Sequence, residues 1–133
     1  MQLTDEQQKD LCKATETYGL SLIVLFGSAA TGKTHKGSDI DIAVRAKDEL
    51  SLMDEARLIG EFCKLFKRND VEIVNLAHAQ PLLLREIATN GRPLFQENPF
   101  LFGRFQIYAL RRYFEAAPIF KMKEQQLEAF LSK

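Results

Sequence analysis

The most constraining stretch of the chain runs from Leu20 to Asp41: an almost unbroken apolar run, Leu20–Phe26, ends in Gly27-Ser28, and ten residues later comes Asp39-Ile40-Asp41. A continuous apolar run of this length reads as a strand covered on both faces, and the glycine-serine pair at its carboxyl end reads as a tight turn. In α/β sheets, chemistry gathers at that end of the strands. Residues 39–44 alternate polar and apolar, so they read as a second strand with Asp39 and Asp41 on one face. Their Cα atoms are then roughly 6 to 7 Å apart. Paired hard oxygen ligands at that spacing suit divalent ions such as Mg²⁺, two of which, about 3.5 to 4 Å apart, clamp the attacking and leaving oxygens of an in-line displacement. Taken without context, the same pair is also the solvated side of an amphipathic edge strand.

A second acidic strand changes that balance. Asp70-Val71-Glu72-Ile73-Val74-Asn75-Leu76 places Glu72 in a β-rich run able to lie beside the first. Three carboxylates in one sheet repel one another unless a cation sits among them. Residues 27–34 also match the phosphate-loop pattern G-x-x-x-x-G-K-[ST] letter for letter. That loop must open into a helix whose amides hold phosphate, and here the strand at Asp39 follows too soon. Nor does an apolar strand end in the aspartate such sites use for Mg²⁺, because Asp70 and Glu72 stand at the beginning of theirs.

The Gly-Ser, ten-residue spacer and Asp-x-Asp of Gly27, Ser28, Asp39 and Asp41 resemble the signature of the minimal nucleotidyltransferases of the DNA polymerase β superfamily, over about residues 20–76. The length also resembles that of single-domain antitoxin members paired with HEPN-domain toxins. The resemblance implies an α/β (α+β) nucleotidyltransferase fold, a small mixed sheet covered by helices on one face. It assigns nucleotide binding to Gly27 and Ser28; Lys33, as a cation toward the triphosphate, and Ser38 are further nucleotide-binding candidates read from the residues themselves. It assigns two Mg²⁺ ions to Asp39, Asp41 and Glu72, and acceptor activation to Glu72. The implied reaction moves AMP from ATP to a tyrosine of a HEPN-type ribonuclease toxin. Two positions depart from the family habit: Glu72 stands for the more usual Asp, and Thr31 for a common Arg. The alternatives are a small-molecule nucleotidyltransferase of the aminoglycoside type, for which fewer than forty residues after Phe95 leave little room, and an antitoxin that neutralises by contact alone.

Composition narrows partners and compartment. The formal net charge of zero argues against direct nucleic-acid binding, which gains affinity from a basic excess. No apolar run approaches the roughly 20 residues that span a bilayer, and the first residues lack a signal-peptide pattern, so a cytoplasmic protein is expected. Cys12 and Cys63 have neither zinc nor redox spacing.

Local signals place the remaining elements in one domain, residues 1–133, with a core of about 1–95 and a helical extension of about 98–133. Thr4 to Gln7 is a capping box opening a helix that Gly19 stops. Ser51 caps a helix through about Phe66 with Leu58, Phe62 and Leu65 on one stripe, which leaves the opposite sheet face for substrate. A helix over 81–88 ends at Asn90-Gly91, and residues 92–95 form a short fourth strand. The tail reads as two helices separated near Pro118, rich in aromatics and arginines, a composition suited either to core or to a partner surface. Self-association or a hetero-oligomer with the toxin follows from the second possibility.

Overall fold

A computed structural model describes residues 2–27 and 39–132. In chain order these form α1 (Asp5–Tyr18), β1 (Leu20–Phe26), β2 (Ile40–Ala46), α2 (Leu52–Phe66), β3 (Val71–Asn75), α3 (Pro81–Asn90), β4 (Arg92–Gln96) and α4 (Leu101–Leu131). The strands make one mixed sheet of order β3-β2-β1-β4. Both β2 and β4 run antiparallel to β1, whereas β3 is parallel to β2 through the α2 crossover.

Helix ends follow the side chains that satisfy them. Thr4 Oγ1 accepts the Gln7 amide at 3.2 Å while Gln7 Oε1 accepts the Thr4 amide at 2.9 Å. Gly19 then closes α1 at φ 63°, a conformation that a side chain would penalise. Ser51 and Asp54 repeat the reciprocal cap on α2. The last residue of α3 is followed by Gly91 for a different reason. Its backbone is extended, but a Cβ there would overlap the Ile87 carbonyl oxygen and come within 2.6 Å of Val24 Cγ1. The glycine lets α3 meet β1 closely.

Two apolar layers, one on each side of the sheet, make up the core. On the first face Leu11 and Ala14 of α1 and Leu58, Phe62 and Leu65 of α2 pack on Ile23, Leu25, Ile40, Ile42 and Val44. On the second, Leu84, Ile87 and Ala88 of α3 with Phe105 and Ala109 of α4 cover Leu22, Val24, Phe26, Ala43 and Leu76. The expectation of helices on one face is therefore corrected: the central strand β1 is apolar on both faces, and burying it takes a layer on each side. A register shift between Leu20 and Leu22 turns Leu20 to the first layer and Leu22 to the second.

The tail is also corrected. It is one helix of 31 residues with Pro118 inside it, rather than two. Proline removes the amide that would bond the carbonyl of Phe114, but Phe114 is exposed, so water can take that place. Only Phe105 and Ala109 of this helix are buried. Among the described residues no helix is long and apolar enough to cross a membrane.

Candidate nucleotidyl-transfer site

Three strand ends converge at one edge of the sheet. β1 finishes at Phe26, opposite Asp41 in the antiparallel register, and β2 and β3 begin there in parallel, with Asp41 beside Glu72. Asp41 and Ala43 share a face of β2, and Ala43 belongs to the second apolar layer; Asp39 stands one residue before the strand, close enough for its charge to act on Asp41. Glu72 and Val74 take the same face of β3, since Val71 and Ile73 pack into the first layer. Asp41 and Glu72 thus project from one face at one edge with Asp39 beside them, Asp39 and Glu72 exposed and Asp41 half-buried.

Electrostatics records the crowding. Burial pushes the Asp41 carboxyl above its ordinary value of 3.8, and the charges of Glu72 and Asp39 push it further the same way. The ionised cluster is held together against its own repulsion. Its donors are all carboxylate oxygens, the ligands a hard divalent cation prefers, and such a cation would turn the repulsion into attraction. Among the described residues no three His, Cys, Asp or Glu side chains close into a preformed cage. Mg²⁺ does not need one, because it characteristically takes one or two carboxylates and completes its shell with substrate phosphates and water.

Gly27 couples the turn to this cluster. Its φ is 75°, and a Cβ built on it would overlap Asp41 Oδ2 and lie 3.4 Å from Asp41 Cγ. Only a glycine allows the turn to lie directly over the carboxylate. Of the expected phosphate-binding residues, Ser28, Lys33 and Ser38 lie outside the described residues, as do Thr31 and the rest of the phosphate-loop match.

Sequence reasoning missed the Arg68–Asp70 pair. Arg68 Nε donates to Asp70 Oδ1 at 2.7 Å, and its Nη2 donates to Asp70 Oδ2. This hydrogen-bonded guanidinium holds the Asp70 carboxyl below the ordinary carboxylate range. The Asp70 carbonyl in turn accepts the Ile40 amide at 3.0 Å, pinning the start of β2 between the two aspartates. Arg68 also feels the charge of Asp39, a smaller influence than its bond to Asp70. The signal was present as Arg-x-Asp ahead of an acidic strand, but a two-residue spacing has no diagnostic value until the crossover is known.

A mixed sheet that ends its central strand in a glycine turn over one member of a carboxylate cluster is built for nucleotidyl or phosphoryl transfer. Residues 7–100 match the family model described as polymerase beta, nucleotidyltransferase, and the chain belongs to that family. It is 32% identical over 124 residues to protein adenylyltransferase MntA of Aphanizomenon flos-aquae, a match covering 86% of this chain and 82% of that protein. It is 38% identical over 76 residues to protein adenylyltransferase MntA of Shewanella oneidensis, covering 57% of this chain and 54% of that one. Among solved structures, a toxin–antitoxin crystal structure with AMP-PNP superposes with a TM-score of 0.73 at 26% identity, covering 95% of this chain and 98% of that one.

Proposed function

We propose that this chain is the antitoxin of a toxin–antitoxin pair and acts as a protein adenylyltransferase, moving AMP from ATP to a tyrosine of a HEPN-type toxin. The observation that carries the reading is the Gly27 turn seated on the Asp39, Asp41 and Glu72 cluster. Relatives that match most of its length are protein adenylyltransferases, and a structural neighbour is a toxin–antitoxin complex with an ATP analogue, which supports the choice of nucleotide and acceptor class.

Asp39 and Asp41, with Glu72, would hold two Mg²⁺ ions. When bound, these supply charge neutralisation on the triphosphate and on the leaving pyrophosphate. Gly27 and Ser28 receive the β- and γ-phosphates, with Lys33 and Ser38 as further contacts. Glu72 orients the acceptor hydroxyl and takes its proton. The tyrosine oxygen attacks the α-phosphorus in line, the bond from that phosphorus to the bridging oxygen breaks, and pyrophosphate leaves with the bond's electron pair. One domain of residues 1–133, working in the cytoplasm, completes the proposal.

Doubly labelled ATP tests the reaction class. Label from the α-phosphate is expected on the toxin while γ-label leaves in pyrophosphate. Transfer of γ-label instead would replace the reading with phosphorylation.

A further inference from the structure

On the second face of the sheet, away from the carboxylate edge, lies a cavity of about 430 Å³ lined by Arg45, Leu76, Ala77, Arg104, Phe105 and Tyr108. It is built where the end of β2 and the residues after β3 meet the first turns of α4. Among the described residues Arg45 and Arg104 have no salt-bridge partner and no acidic side chain lines the cavity. The Tyr108 ring is fixed at the rim, because Arg112 Nη1 donates to its hydroxyl at 2.8 Å and the guanidinium lies 5.8 Å from the ring centre. Two unneutralised guanidinium groups around an apolar, aromatic floor recognise an anion carried next to an apolar group.

Its position says what brings such a group there. Asp41 and Arg45 share a face of β2, separated by four residues, or about 13 Å at the strand repeat. A standard protein–protein footprint of about 800 Å² per partner has a radius of about 16 Å. A folded protein of that footprint that delivers a tyrosine to Asp41 can extend over the α3 and α4 layer, which buries Ala43 between the two sites, as far as the cavity. Arginine and tyrosine are the residues over-represented where such contacts are strongest.

The structure assigns this cavity as the docking subsite for the protein acceptor: it takes an acidic side chain and an adjoining apolar side chain from the acceptor's surface, outside the reacting centre. The assignment rests on the proposed adenylyltransferase reading and adds the chemistry by which the partner is selected.

The test compares wild type with R45E/R104E, using the cognate HEPN-domain protein as probe, with K9E/K13E on α1, beyond the other sheet face, as the charge control. Calorimetry gives the Kd of the complex and steady-state transfer gives KM for the acceptor and for ATP. The expected result is a Kd and acceptor KM raised at least about tenfold by R45E/R104E, with kcat, KM for ATP and the melting temperature unchanged and the control like wild type. The wild-type complex should weaken with salt more steeply than the variant's. An unchanged Kd in R45E/R104E overturns the assignment and leaves the adenylyltransferase reading standing. A raised KM for ATP with normal acceptor binding also overturns it, because the cavity then serves the nucleotide. A wild-type complex that forms, is weakened by the variant and transfers nothing would uphold the docking site and overturn the catalytic reading.

Discussion

Replacing Gly27 by alanine perturbs the site at the point where backbone and carboxylate touch. The substitution has two separable costs. A side chain at φ 75° costs about 1–2 kcal/mol of fold stability, whatever surrounds it. The added Cβ also overlaps Asp41 Oδ2, and restoring van der Waals distance moves that oxygen by about 1 Å. A displacement of about 1 Å at a reacting centre costs on the order of a hundredfold in rate. Gly19 separates the two effects, since it sits at φ 63° with nothing within 4 Å of its virtual Cβ. The assay is AMP transfer to the HEPN partner at saturating ATP, with thermal melts run alongside. Both G19A and G27A should melt several degrees below wild type, and only G27A should lose about two orders of magnitude in kcat. A G27A enzyme that turns over like wild type, or a G19A enzyme equally impaired, would refute the coupling of turn to carboxylate.

Other consequences follow from the same geometry. Asp41's carboxyl is raised by burial and by two like charges, so its ionised form opposes folding: the penalty is absent below the ordinary value of 3.8 and builds as pH rises through the higher folded value. D41N is accordingly expected to melt above metal-free wild type at pH 7, with the advantage shrinking toward pH 4; a lower melting temperature at pH 7 would contradict the repulsion. G91A should lose about 1–3 kcal/mol in chemical denaturation, because the Cβ has no space between Ile87 and Val24. P118A restores an amide to α4 and should raise helical circular dichroism without altering AMP transfer.

Much of the fold was legible because its signals were local. The caps at Thr4 and Ser51 and the stop at Gly19 each depend on side chains within one turn, and each helix begins or ends where those residues predict. The carboxylate cluster was legible for a similar reason: the two-residue strand period places Asp39 and Asp41 together, and the parallel register of β2 and β3 brings Glu72 beside Asp41. The second helical layer was not. Its evidence lay in Leu20–Phe26, a strand apolar on both faces, but nothing local says which later segment covers the second face. Phe105 and Ala109, which do so with α3, look like other residues in a tail rich in exposed aromatics. Pro118 misled because its cost depends on whether water reaches the freed carbonyl, a property of the surface rather than of the pattern. Gly91 ends α3 as expected, yet its necessity is the approach of α3 to β1, which no spacing announces.

The central claim is that the carboxylate edge transfers AMP to a protein. The most direct measurement is the intact mass of the HEPN partner after incubation with this protein, ATP and Mg²⁺, with D39N and D41N in parallel. The account predicts a gain of one or more AMP units with wild type and none with either variant, each variant remaining folded. An unmodified partner with wild type, or equal modification by D39N, would contradict it.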